Sequence, residues 1–253
     1  MTAPAADRHD PRGNRVLAAL PEAERQRLRH DLEPVRTQIR EVVHRPGRPV
    51  EAVLFPLRAV FSILADLDGG TVEVATVGDE GMVGLSAFLG VTAPTERAVC
   101  QVAGWGLRMD ADRFRHEIGV LDGALQQVLQ RYTQFMFTQL ARNAACNRGH
   151  RIPQRCARWL LMTADRMHSD RFALTQEFLA QMLAVRRTSV SEAAGALARA
   201  GCIRYSRGVI TVLDRTGLES HACTCYRVLR EAADTVLPPA ADVSRAARSA
   251  PRP

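Results

Sequence analysis

The sequence predicts an α+β chain in three parts: an antiparallel, strand-rich N-terminal half, a long helix, and a C-terminal pair of short helices followed by a hairpin. Three observations carry this. Between Val42 and Gly84, short runs rich in Val, Phe and Ile are punctuated by Pro and Gly. Between Leu121 and Leu140, apolar residues recur three and four apart, the helical period. From Leu174 to Gly201, LTQEFLAQMLAVRRTSVSEAAGALARAG reads as two short helices joined by a tight turn.

Residues 1–14 (MTAPAADRHDPRGN) lack periodicity, which predicts disorder. From Arg15 to Arg40 the pattern suggests short helices, with Pro21 at a helix start. The segment TVEVATV alternates as a half-buried strand does, and Asp68-Gly69-Gly70 before it has hairpin-turn composition. Arg97 to Val102 and Trp105 to Met109 give further strands. Short strands at this spacing imply a small antiparallel barrel or sandwich.

Asp110 has the chemistry of a helix N-cap. In the helix that follows, Leu121, Leu125, Val128, Tyr132 and Phe135 make a heptad seam. Leu129, Met136 and Leu140 lie on a neighbouring stripe. Two stripes suit a helix that packs on its own domain and on a second subunit, and they equally suit one buried in a single core. After Asn147 the chain is helical again, with Trp159, Leu160 and Met162 as core. Phe172 to Leu174 suggests a short strand. Beyond the helix pair, Cys202 to Tyr205 and Val209 to Val212 flank Ser206-Arg207-Gly208, a hairpin with a basic tip. Helix–helix–hairpin is the order of a winged helix. Asp214 then caps a last helix through Leu229, and residues 237–253 read as a flexible tail.

The 253 residues are 46% hydrophobic, enough for two cored domains. Net charge is +7, and all 34 basic side chains are arginine. Between Arg148 and Arg230 stand 14 arginines against 6 carboxylates, so the basic character lies in the C-terminal third. That fits a polyanionic partner. The start of the chain has no secretory-signal pattern, and no apolar run approaches the ~20 residues of a membrane span. The expectation is a cytoplasmic protein with no membrane partner and with its six cysteines reduced. No nucleophile elbow, phosphate loop, zinc-protease helix or paired-carboxylate motif is present, so no enzyme is expected.

The helix pair carries the chemistry. Thr175 can cap the first helix, with Gln176 in its exposed first turn, where free amides face a phosphate. The second helix starts near Arg187, and the N-terminal residues of such a helix reach base edges. Arg187 is assigned to guanine through paired bonds to O6 and N7, Glu192 to a cytosine amino group or to orienting an arginine, and Thr188 to a thymine methyl. Arg186, Ser189, Arg204 and Arg207 are assigned to phosphates, and Ser191 falls beside the reading face.

LAALP, VVHRPGRPVEAVLFPLRAVFSI, GDEGMVGLSAFLG, the long helix and, above all, LTQEFLAQMLAVRRTSVSEAAGALARAGCI resemble the CRP/FNR-type bacterial transcription regulators over nearly the whole length. The resemblance implies a cyclic-nucleotide-binding-type β-roll (a cupin-like antiparallel barrel) at residues 15–115, a dimerisation helix at 116–146 and a winged helix-turn-helix at 147–236. It implies a homodimer on a near-palindromic operator, with double-stranded DNA, RNA polymerase and an unidentified small-molecule effector as partners. Arg187 falls where the family has a base-reading arginine. Thr188 and Glu192 depart from the common pattern, which implies a different operator.

The sensor cassette departs further. Gly84 matches the family's glycine, but Leu85 replaces the glutamate that binds ribose. Arg97 matches the phosphate-binding arginine, but Ala98 replaces its hydroxyl neighbour. Each lost hydrogen bond to a charged group costs about 1.5–3 kcal/mol, so no tight cyclic-nucleotide binding and no cofactor are expected. No cysteine precedes Cys100, so the N-terminal iron–sulfur arrangement of FNR-like members is absent. Cys223 and Cys225 form the one close pair, and His150 or His221 would complete a site only if the fold joined them. The pair reads as isolated thiols, with no metal assigned. The alternatives are a redox- or metal-sensing regulator using Cys223 and Cys225, or an effector-independent one.

Overall fold

The structure, a computed structural model, describes residues 10–68, 70–119 and 123–237. The chain opens with a 3-10 turn, Pro11–Gly13, then helices α1 (Arg15–Ala18) and α2 (Glu22–Arg29). Residues 10–14 thus depart from the disorder expected of them. Asn14 is buried: its side chain caps α1 at the amides of Val16 and Leu17 and donates to the carbonyls of Pro56 and Gly81. Residues 1–9, the remainder of that expectation, lie outside the described residues.

Strand β1 (Glu33–Thr37) corrects the helical reading of residues 15–40. Local composition did not mark it, because its partner is distant: Glu33 pairs with Arg108 and Thr37 with Gly104. The roll comprises β1, β2 (Val42–His44), β3 (Ala52–Pro56), β4 (Val60–Leu67), β5 (Gly70–Val77), β6 (Arg97–Val102) and β7 (Gly104–Asp110). They form two antiparallel sheets, ordered β1-β7-β3 and β2-β6-β4-β5, an open roll rather than a closed barrel. The hairpin expected at Asp68 joins β4 to β5, with Leu67 opposite Gly70. Short helix α3 (Leu85–Phe88) follows β5, and α4 (Ala111–Ile118) follows β7, capped by the Asp110 carboxylate at the amides of Asp112 and Arg113.

The long helix α5 is Ala124–Gly149, later than the 116–146 expected. Gly119 caps the end of α4 and Gly123 the start of α5. The C-terminal part contains α6 (Ile152–Met167), β8 (Arg171–Ala173), α7 (Gln176–Leu183), α8 (Arg187–Arg199), β9 (Ile203–Ser206), β10 (Val209–Val212), α9 (Arg215–His221) and α10 (Cys225–Val236). The single last helix expected after Asp214 is two helices. The second leaves the winged helix and packs along α5, where Asp234 binds Arg15 at 2.7 Å. Leu237, expected in the tail, is fully buried; residues 238–253 lie outside the described residues.

Two cores meet at the four-stranded sheet. One holds Phe61, Ala75, Ala98 and Cys100 with α5; the other holds Val60, Leu64, Val99 and Val102 with α6, α7 and α8. A sheet covered on both faces needs apolar residues on both sides of each strand, which is why Val60-Phe61 and Val99-Cys100 are adjacent apolar pairs.

The heptad seam is corrected by the same packing. Leu125, Val128, Tyr132 and Phe135 are at most 2% exposed within their own chain. They face the roll and are unavailable to a second subunit; Leu121 lies outside the described residues. The apolar groups that α5 leaves exposed are Phe137 (64%) and Leu140 (38%), with Ala141 and Ala144 beside them.

Candidate nucleic-acid interface and effector pocket

The Thr175 hydroxyl caps α7 by accepting from the Phe178 amide. The helix ends at Ala184, whose left-handed φ of 51° turns the chain within two residues into α8. The opposite side of α8, with Val190, Ala193, Ala194 and Leu197, is buried in the second core. This orientation leaves Arg186, Arg187, Thr188 and Glu192 exposed along one face. Ser189 is half-buried. Ser191 is engaged between the helices, donating to the Gln176 side chain at 2.8 Å, so both residues brace the turn. The wing is a two-residue turn at Arg207 (φ 50°) and Gly208 (φ 74°), both left-handed, as a type I′ hairpin requires. It is held by β8-β10-β9 pairing and by the Tyr205 hydroxyl donating to the Leu174 carbonyl. Arg204 and Arg207 are exposed on it. None of Arg186, Arg187, Arg204 and Arg207 forms an ion pair or a side-chain hydrogen bond among the described residues. Four unneutralised guanidiniums project from one helix start and one hairpin.

The second site is a cavity of about 420 Å³ between the four-stranded sheet, α3 and α5. Gly84, Leu85 and Ala98 line it with Ile63, Val77, Met136 and Phe137. Arg97 does not. Alternation along β6 turns it outward, where it donates to Asp66 at 2.8 Å. The lining contains no arginine, and its titratable groups are His44 and Glu96. Burial lowers the His44 pKa, favouring a neutral ring against the Ala52 carbonyl. The cavity is therefore apolar with no cation, and the buried Ser86 hydroxyl on its wall has no partner.

Sequence reasoning missed the groups that join the two sites. In GDEGMVG each residue from Gly78 to Gly81 meets another element. A Cβ at Gly78 would lie 2.4 Å from Arg166, and one at Gly81 2.4 Å from the Tyr132 ring. Glu80 accepts two bonds from Arg166, at 2.6 and 2.9 Å, both side chains buried. Asp79 pairs with His168 at 2.8 Å, which raises the His168 pKa. On α5, Gln139 accepts from the Thr76 amide and Asn143 donates to the Val74 carbonyl, satisfying the free edge of β5. Glu73, Ser62, Gln101 and Trp159 form a buried chain across the sheet–α6 junction. Ser62 has one proton but three acceptors, Glu73, Gln101 and the Met182 sulfur, so a protonated Glu73 donating to Ser62 frees the Ser62 proton for Gln101. Burial raises the Glu73 pKa to about 7, in the same direction.

Cys223 and Cys225 do meet other ligating groups: Cys146 and His150 at the end of α5. His221 turns away to the Gly217 carbonyl, beside Cys202. The Cys146 sulfur lies 3.5 Å from the Cys223 sulfur, and a hydrogen bond between them, with Arg158 nearby, lowers the Cys223 pKa.

Residues 154–221, from α6 through α9, match the family model of the Crp-like helix-turn-helix domain. No curated protein sequence matches the chain. Among solved structures it is similar to FixK2 from Bradyrhizobium japonicum, at 15% identity and TM-score 0.64, covering 76% of this chain and 98% of that one. It is similar to TTHB099, a CRP-family transcriptional regulator from Thermus thermophilus, at 20% identity and TM-score 0.61, covering 74% and 96%. It is also similar to a putative cAMP-binding regulatory protein from Silicibacter pomeroyi, at 15% identity and TM-score 0.61, covering 86% and 99%. With open roll, long helix and winged helix in this order, the chain has the fold of the CRP/FNR-type transcription regulators and carries a Crp-like helix-turn-helix domain over residues 154–221.

Proposed function

We propose that the protein is a homodimeric, DNA-binding transcription regulator that reads a near-palindromic operator through the start of α8. The observation that carries this reading is the set of four exposed, unpaired arginines on α8 and the wing, beside a helix buried on its other side. Arg187 reads guanine, Arg186, Arg204 and Arg207 hold phosphates, and Thr188 and Glu192 set the remaining preference. The second copy docks along Phe137, Leu140, Ala141 and Ala144 of α5, in place of the seam that faces the roll. Two reading helices then meet successive major grooves about 34 Å apart.

The roll cavity takes a small, mostly apolar effector that accepts or donates one hydrogen bond at Ser86. A cyclic nucleotide would place its phosphate where no cation stands. Because Phe137 and Leu140 line both the cavity and the docking face, an effector that moves them changes how the two α5 helices meet.

Mobility-shift titrations on genomic fragments test the DNA reading: binding should be sequence-selective and weaken steeply with salt. Uniform weak binding to all fragments contradicts it. Calorimetry with cyclic AMP and cyclic GMP tests the cavity: no heat is expected at micromolar ligand, and a micromolar fit contradicts the effector class.

A further inference from the structure

The four groups at the foot of α5 have a geometry that neither DNA reading nor the roll cavity uses. Their ligating atoms, the sulfurs of Cys146, Cys223 and Cys225 and a ring nitrogen of His150, all lie within 4.8 Å of one another. Cys146 and Cys223 sulfurs are 3.5 Å apart, and Cys225 sulfur is 3.7 Å from His150 Nδ1. A tetrahedral zinc ion with Zn–S bonds of about 2.3 Å has S···S edges of about 3.8 Å. The spread therefore brackets a tetrahedron that small side-chain adjustments would complete.

The position is built by backbone, not by chance proximity of surface groups. Cys146 and His150 are four apart, one helical turn, and the His150 amide donates to the Cys146 carbonyl as α5 ends. Cys223 lies in the connection between α9 and α10, and Cys225 is the first residue of α10. The three cysteines are at most 4% exposed and form a cluster of their own, apart from both hydrophobic cores. All six cysteines are free thiols in this structure, so no disulfide explains the grouping. From α6, Arg155 and Arg158 are buried, and the charges of both act on this cluster. Each has a buried Nε with no partner. Three thiolates and a neutral imidazole around a dication carry one net negative charge, and the positive field of the two buried guanidiniums favours it.

We propose that Cys146, His150, Cys223 and Cys225 form a closed, four-ligand site for Zn²⁺ that staples the end of the sensor helix α5 to the α9–α10 connection of the DNA-binding part. Four protein ligands leave no open position, which makes the role structural. Thiolate and imidazole together favour Zn²⁺ over the oxygen-seeking cations. Binding free energy at such a site is spent on holding its elements together. The proposal stands independently of the DNA reading.

The test uses the reduced full-length chain, titrated anaerobically with Co²⁺ alone as a spectroscopic probe. The tetrahedral cobalt–thiolate absorption should saturate at one equivalent per chain and be lost on adding Zn²⁺. With Zn²⁺ bound, alkylation should spare the three site thiols and label no more than the other three. Cys225→Ser should lower the thiolate-to-cobalt intensity by about a third, from three thiolates to two, and Cys202→Ser should leave it intact. If Cys225→Ser fails to fold, His150→Cys remains informative: it should keep the tetrahedral bands and raise the charge-transfer intensity by about a third, from three thiolates to four. Absence of a saturable cobalt spectrum overturns the proposal. So does an unchanged spectrum in Cys225→Ser or His150→Cys, or alkylation of all six thiols at the same rate with and without Zn²⁺.

Discussion

The proposed reading face and the junction between roll, α5 and α6 are built on opposite principles. On α8 and the wing, arginines are exposed and unpaired, held by a short local scaffold of a capped helix, a two-residue turn and a type I′ hairpin. At the junction of roll, α5 and α6, charged and polar groups are buried and paired across more than 60 residues of sequence, as in the ion pair Glu80–Arg166 and the hydrogen bond from Thr76 to Gln139. The first arrangement leaves charge free for a partner. The second uses charge to fix how two domains sit. Loss of a reading residue should therefore cost binding with little cost in stability, and loss of a junction residue should cost stability first.

The largest expected effect is at the junction. Glu80→Ala leaves the Arg166 guanidinium buried without its partner and should destabilise the fold by about 3–5 kcal/mol in urea unfolding. Adding Arg166→Met should recover part of that loss. A cost under about 1 kcal/mol, typical of a surface pair, would mean that the pair does not hold the junction.

Glu73 sharpens the contrast through pH. The folded state keeps its proton up to about 7, while an unfolded carboxyl loses it near 4.5. Its contribution is therefore complete below about 4.5 and is lost as pH rises through 7. Urea midpoints should fall between pH 5 and 8 in the parent chain more than in Glu73→Gln. Equal slopes would show that Glu73 is not protonated in the folded protein. At the reading face, Arg187→Ala should cost about 1–3 kcal/mol on the operator and relax selection at one base pair, with an unchanged urea midpoint. Equal loss on operator and random DNA would move Arg187 from base to phosphate. The smallest effect is Arg207→Ala, which should weaken both kinds of DNA alike and reduce the salt slope by about one. An unchanged slope would take the wing off the backbone.

How far the sequence was legible follows the same division. The N-cap at Thr175, the turn at Ala184, the wing and the Asp68 hairpin were readable because each depends on a few neighbouring residues. Strand β1 was not, since its partner lies some 70 residues away, and residues 10–14 were not, since Asn14 is ordered by Pro56 and Gly81. The α5 seam shows why periodicity alone misleads. Its spacing correctly marks a buried stripe, but spacing carries no information on whether the burying surface is the chain's own roll or a second copy. Arg97 failed by one step of strand alternation: it matches a phosphate-binding position in sequence, yet its side chain belongs to Asp66. The Cys223–Cys225 pair was visible, but half of its partners stand at residues 146 and 150 and only the return of α10 along α5 brings them near.

The central claim is that the start of α8 reads DNA as one half of a symmetric pair. Genomic footprinting with the purified full-length protein, run beside Arg187→Ala, tests it most directly. Protected sites should contain two inverted half-sites one helical turn apart, about 10 base pairs centre to centre, and their selection should be lost in the variant. Protection without a shared motif, or a motif that Arg187→Ala reads unchanged, would contradict it.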